Sequence, residues 1–308
     1  MSVSDLSKIK TIRAGLDEAA HDTARSNITA AYYCKELARA VCGGEGDRDL
    51  FLHSNGHNAA ISALRDAISP LGGMIRAGLS GAMFARYCTE RCGSRKLLPT
   101  LSEMMAFGDA EDAAGEGESS GDPSVVQVAY VTGTAADASF EIFARGRDEW
   151  RRRHVERVQN ACNSVIYGDT DYAIVPIRNG ADGRLRTFYR MLEEYELKIV
   201  SAATISVGGM PAVSTTFALC SASFGAFAHT PEYMEFSVTG DGSTAADITG
   251  AMGAHGHTVR EIGSVPAGDR ELFHFVVKLG GDVRAALLYL EIFHPSHTVL
   301  GLYDYANT

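Results

Sequence analysis

Asp171-Tyr172-Ala173-Ile174-Val175-Pro176-Ile177-Arg178-Asn179-Gly180, running on through Phe188-Tyr189-Arg190-Met191-Leu192 to Leu197-Lys198-Ile199-Val200, decides the fold. A short apolar run between an acidic and a polar residue reads as a buried strand. Arg178-Asn179-Gly180 carries turn chemistry. A helix and a second strand follow, so the stretch has the wording of one α/β repeat.

Working outward, Val125 to Val131 reads as another buried strand, closed by the turn Thr132-Gly133-Thr134. Helices fit Ala136 to Trp150 and Val155 to Tyr167, which gives strand–helix–helix–strand–helix–strand and a layer with parallel pairing. The basic cluster from Arg145-Gly146-Arg147 to Arg151-Arg152-Arg153-His154 then reads as a solvated helix end.

After Pro231 the pattern changes. Strands at 235–239, 258–265, 272–279 and 299–303 alternate with helices at 244–253 and 282–293, the βαββαβ order of a ferredoxin-like unit. At the other end, residues 4–96 read as helical. Apolar or small residues recur from Ile9 through Leu16 and Cys34 to Val41, and two further helices fit 48–67 and 71–92. Such an open three-helix unit encloses little core alone, and intertwined dimerisation is its usual remedy.

Gly108 to Asp122 is acidic, rich in Gly and Ser and free of large apolar residues, so it marks a self-repelling linker. The expected organisation is a helical domain at 1–96, a linker at 97–122, an α/β lobe at 123–230 and a βαββαβ domain at 231–308.

Composition bounds function. Hydrophobic content of 45% with 21% charged residues is ordinary for a folded chain. A formal charge of −10 argues against nucleic acid as a partner. No run approaches the roughly 18 apolar residues of a membrane helix, and Met1 to Lys10 lacks the apolar core of an export signal. Cys34, Cys42, Cys88, Cys92, Cys162 and Cys220 have no Cys-x-x-Cys spacing and read as reduced thiols. The expectation is a cytoplasmic protein with no metal and no cofactor. His53, His57, His255, His257 and His274 lack a carboxylate or cysteine at ligand spacing.

The wording of 171–200 resembles the prephenate dehydratase family, whose "aDYavvPIENSxxGxvxxtYDLL…LkIv" sentence places a Glu-Asn-Ser turn in the substrate cleft. In order, nearly the whole chain resembles the bifunctional form, by topology alone at 4–96: a chorismate-mutase-like (AroQ-like) helical domain, a dehydratase with a periplasmic-binding-protein-like fold, and an ACT domain. The closing Val299-Leu300-Gly301-Leu302-Tyr303 is similar to the "vLGsYP" ending of that ACT domain.

Carried over residue by residue, the resemblance changes several chemical words. The entry turn is Thr132-Gly133-Thr134, and Arg178-Asn179-Gly180 stands where Glu-Asn-Ser is expected. The family's Thr-Arg-Phe triplet becomes Thr215-Thr216-Phe217, so the Thr is kept and the Arg is not. Ile205 to Ser214 is all that separates the two strands between which the family inserts a second lobe. A βαβ crossover needs about a dozen residues or more, so that lobe cannot be present. In the ACT-like part, Asp241-Gly242-Ser243-Thr244 and Gly263-Ser264-Val265-Pro266 replace the "GAL" and "ESRP" segments of the phenylalanine pocket.

The resemblance implies a lyase on prephenate, by dehydration or by the non-aromatising decarboxylation of secondary metabolism. Thr215 would be the catalytic residue, and Thr132, Thr134, Arg178, Asn179, Thr216 and Phe217 would contact substrate. Arg178 is the candidate carboxylate clamp. Two alternatives stand beside it: a chorismate mutase in a shifted register using Arg13, Lys35 and Arg48, and a catalytically inactive dimeric sensor or partner. The implied ligand is a small carboxylic acid, prephenate or chorismate. The implied assembly is a homodimer through the helical and ACT-like domains.

Overall fold

The computed structural model describes residues 34, 35, 38, 61, 62, 65, 79–92, 125–180, 183–206, 214–224, 231–281 and 283–306. Arg13, Arg48, His53, His57, Cys42, the linker and most of the N-terminal helical segment lie outside them. The described elements, in chain order, begin with α1 (Leu79–Cys92), β1 (Val126–Val131), α2 (Thr134–Phe143), β2 (Trp150–Val155), α3 (Val158–Ile166), β3 (Tyr172–Asn179) and β4 (Gly183–Arg184). Then come α4 (Arg186–Tyr195), β5 (Lys198–Ser206), β6 (Ser214–Ser221), β7 (Tyr233–Gly240), α5 (Gly242–Ala254), β8 (Thr258–Ala267), β9 (Arg270–Lys278), α6 (Val283–Phe293) and β10 (Thr298–Tyr305).

The chain divides into two compact units. One takes Met1–Leu101, Gly240–Gly256 and Gly281–Pro295; the other takes Ser102–Thr239, His257–Gly280 and Ser296–Thr308.

In the first unit α1 packs against α5 and α6. It does so through a stripe of Ala82, Phe84, Ala85 and Cys88, the spacing of one buried helix face. α6 is buried nearly all round, from Val283 through Leu288 to Ile292. Its last turn leaves carbonyls without helical partners. Arg65 serves two of them, donating from Nε to Ile292 O at 3.1 Å and from Nη2 to Glu291 O. α5 starts on a capping box. The Asp241 carboxylate accepts the Thr244 N–H at 3.0 Å, and the Thr244 hydroxyl accepts the Asp241 N–H at 3.2 Å. Donation from Ser243 first, then from Thr244, holds the Asp241 carboxyl down at about 2.

The second unit is one sheet with the order β2-β1-β3-β6-β5-β10-β7-β9-β8, and β4 added to β3. β1 runs parallel to β2 and β3, whereas β6 is antiparallel to both β3 and β5. Two cores lie on its faces. On one, α2 contributes Ala136, Phe140 and Phe143 against Val128, Tyr130, Trp150, Ile174 and Phe217. On the other, α3 and α4 contribute Cys162, Val165, Phe188 and Leu192 against Ala129, Val175, Ala218 and Cys220.

The region around Trp150 departs from the sequence expectation. The helix stops at Phe143, and Trp150-Arg151-Arg152-Arg153-His154-Val155 is a strand in parallel register with β1, not a helix end. Gly146, at φ 74°, takes the left-handed conformation in the turn that follows the C-cap Ala144. Trp150 then anchors the new strand in the core, 5.2 Å from the Tyr172 ring. β2 is an edge strand, and exposed arginines on an edge discourage pairing with another chain.

β5 and β6 pair from Lys198↔Ser221 to Ser206↔Ser214. Seven residues, 207–213, separate the two strands in the sequence, fewer than a βαβ crossover needs.

Candidate functional site

β1, β3 and β5 end at the same edge of the sheet, where β6 begins. β1 also lies between β2 and β3, to which the chain travels over opposite faces through α2 and α3. A reversal of that kind marks the carboxyl ends of the strands as the usual place for a ligand crevice in an α/β sheet.

Register sorts the candidate residues by face. Cα partners on adjacent antiparallel strands point the same way. Asn179 pairs with Thr215, and Thr215 with Ile205, a residue packed on the α2-side core. Asn179 and Thr215 therefore leave the sheet on the α2 face. Arg178 pairs with Thr216, and Thr216 with Thr204, which places these three on the α3/α4 face. A register shift between Pro176 and Arg178 produces this assignment. The structure thus separates Arg178 from Thr215, two residues that the sequence reading joined in one site.

The separated residues have partners of their own. Thr216 is buried, and its hydroxyl lies 2.9 Å from that of Thr204. Arg178 Nη1 donates to Glu261 Oε2 at 3.2 Å. Phe217 is a core side chain, 6% exposed, on the α2 side.

The turn after β1 shares the α2 face with Asn179 and Thr215. β1 alternates so that Val128 and Tyr130 enter the α2-side core, and Thr132 continues that side. Thr132 Oγ1 lies 3.0 Å from Nδ1 of His154, the residue register-paired with Tyr130. The Tyr130 ring meets the His154 ring edge-on, with centroids 5.0 Å apart. Its hydroxyl donates to Asp137 Oδ1 at 2.9 Å. Burial first, then the hydrogen bond and charge of Asp137, push the Tyr130 hydroxyl up to about 12. Gly133 precedes α2, Thr134 opens it, and both are exposed at the same edge.

His154 escaped the sequence reading because its segment passed for helix. The available signal was Gly146 and the Asp148-Glu149 turn, which cut that helix short. Of the alternative mutase set, only Lys35 is described, as an exposed helical residue. Cys34, Cys88, Cys162 and Cys220 are buried, and none of these four forms a disulfide. Among the described residues no group of His, Cys, Asp or Glu is placed to hold a metal ion. No described helix is long and apolar enough to cross a membrane.

No family model and no curated protein matches the sequence. Solved structures do resemble it. The prephenate dehydratase of Streptococcus mutans is 13% identical over 59% of this chain and 100% of its own, with a TM-score of 0.49. That of Arthrobacter aurescens, in complex with L-Phe, is 16% identical over 59% of this chain and 90% of its own, also at 0.49. GqqA, described as a novel type of quorum quenching acylase, is 19% identical over 57% of this chain and 94% of its own, at 0.46.

Proposed function

We propose that this chain is a lyase of the shikimate branch acting on prephenate, by dehydration or by non-aromatising decarboxylation. The observation that carries the reading is the pairing of Asn179 with Thr215. In the resembled family the Asn-containing turn and the Thr strand line one cleft. Here the two segments that keep those residues are adjacent, in register and directed to the same face.

The site on this reading is the α2-face crevice of Thr132, Thr134, Asn179 and Thr215. Prephenate is poised to lose carbon dioxide once a proton is delivered, so positioning and a proton donor are the main demands on the protein. The βαββαβ segment serves as an ACT-like dimerising element, and the helical segment as a second contributor to a homodimer. On this reading Arg178, which lies on the α3/α4 face, is left out of the clamp.

Incubation of the purified chain with prephenate, and separately with chorismate, with products followed by mass spectrometry, tests the reading. Phenylpyruvate or a dihydro-hydroxyphenylpyruvate from prephenate is the expected result. Two untouched acids would end it, and conversion of chorismate alone would move the activity to the helical segment.

A further inference from the structure

The crevice just described contains hydroxyls and an amide, and neither Thr215 nor Asn179 is an acid of useful strength near neutral pH. Both routes open to prephenate need one. In dehydration, the dianion and one proton give the phenylpyruvate monoanion, carbon dioxide and water. The C–O bond of the ring hydroxyl breaks to water, the ring-to-carboxylate C–C bond breaks to carbon dioxide, and its electron pair completes the aromatic ring. In decarboxylation without aromatisation, the same proton goes to a ring carbon and the hydroxyl stays. Either way each turnover consumes one proton.

We propose that His154 is the proton donor of this site, acting through Nε2, with Thr132 as the residue that positions its ring. The inference rests on the prephenate reading above. Geometry supports it in three respects. First, Thr132 Oγ1 occupies Nδ1 at 3.0 Å. In the cation Nδ1–H donates to the Thr132 hydroxyl and Nε2 carries the proton to be delivered; its loss leaves the neutral Nδ1–H tautomer, still donating to Thr132. Thr132 thus keeps Nε2 as the donor atom.

Second, the ring has fixed support. Tyr130 packs edge-on against it at 5.0 Å, and Tyr130 is itself buried and hydrogen-bonded to Asp137. Third, the ring leans over β1 toward Thr132. From Thr132, two strand spacings of about 4.8 Å and two residues of about 3.3 Å along the strands leave roughly 12 Å to Thr215. A ten-carbon dicarboxylic acid with a hydrogen bond at each end spans such a gap.

Thr215 and Asn179 then hold the far end of the substrate while His154 acts at the reacting end. His154 is exposed, so solvent restores its proton after each turnover. The charged and titratable groups around it are Tyr130 on β1, Arg152 on its own strand, and Asp137 and Glu141 on α2. Arg152 is already paired with Glu141.

The test follows prephenate turnover by the full chain as wild type, His154→Gln, Thr132→Val and Arg151→Gln, from about pH 5.5 to 8.5. Histidine NMR spectra are recorded with and without phenylpyruvate. His154→Gln is expected to lower kcat about 100-fold with KM nearly constant, and to flatten the pH profile. Thr132→Val should lose about tenfold and shift that profile, because the tautomer is no longer held. Arg151→Gln, on the opposite face of the same strand, should match wild type. Addition of phenylpyruvate should displace one histidine resonance that is missing from His154→Gln. An active wild type with an equally active His154→Gln of unchanged pH profile overturns the assignment and leaves the lyase reading standing; so does a histidine spectrum that phenylpyruvate does not move. An inert wild type overturns both.

Discussion

The guanidinium of Arg178 on β3 meets the carboxylate of Glu261 on β8 at 3.2 Å, although β6, β5, β10, β7 and β9 lie between their strands. In a flat sheet six spacings would hold them roughly 29 Å apart. The sheet therefore curls until its eighth strand returns to the carboxyl end of its third, as strongly twisted sheets of many strands do. The Arg178 cation, next to last on β3, thereby has a partner within the sheet. It joins two parts of one sheet.

That pair should contribute little to stability. The Arg178 side chain is 51% exposed and that of Glu261 30%, so solvent screens the attraction. A double-mutant cycle of Arg178→Ala and Glu261→Ala, read by urea unfolding, should give a coupling of about 0.2–1 kcal/mol. In about 1 M salt most of it should vanish. A coupling well above that range would mean that the curl depends on this contact.

Thr215 and Thr216, adjacent on one strand, should fail in opposite ways. Thr216→Val removes a buried hydroxyl bonded to Thr204 at 2.9 Å and should cost about 1 kcal/mol of unfolding free energy, with prephenate turnover near wild type. Thr215→Ala should leave the urea midpoint almost unchanged and reduce kcat/KM about tenfold or more. Equal turnover by both variants would remove Thr215 from the site.

Most of the strand and helix order was legible because burial leaves a regular imprint. Val128 and Tyr130, or Ile174 and Phe217, enter a core that only apolar residues fill. β2 left no such imprint, since an edge strand with Trp150 as its one buried residue shows solvent a row of arginines. The face of Arg178 was illegible for a different reason. A register shift between Pro176 and Arg178 reverses the alternation that a sequence reader extrapolates. The contact with Glu261 was beyond reach because sheet curvature joins residues far apart in the chain. The Thr132–His154 pair needed β2 to be a strand before the two could meet.

Gly301 marks a close approach between β10 and β5. A Cβ there would lie 2.6 Å from the Ile199 Cβ and 3.0 Å from the Ile199 carbonyl oxygen. Neither neighbour is the end of a flexible side chain, and the site borders the core through Leu300 and Tyr303. Gly301→Ala should destabilise the fold by about 1–3 kcal/mol, measured by urea unfolding, because backbone has to move. A variant as stable as wild type would show that the β5–β10 junction yields easily.

Alkaline pH should unfold the second unit in two overlapping stages. Burial pushes the Cys162 thiol up to about 11 and the Cys220 thiol well above its ordinary 9.0. It also pushes the Tyr130 hydroxyl up to about 12 from 10.0. For each group the folded state binds its proton more tightly than the unfolded chain does. The stabilisation is therefore complete below the unfolded value and is lost as pH rises through the folded one. The Cys162 contribution should fade between about pH 9 and 11, that of Cys220 only as pH rises well above 9.0, and that of Tyr130 between about pH 10 and 12. Tyr130→Phe should cost about 1–2 kcal/mol near neutral pH, where the hydrogen bond to Asp137 is lost. Above about pH 10 the variant should lose stability less steeply than wild type, keeping only the thiol stage. Urea midpoints of both proteins, measured from about pH 7 to 11.5, would decide it: parallel curves would mean that the Tyr130 hydroxyl ionises in the folded state as readily as in the unfolded chain.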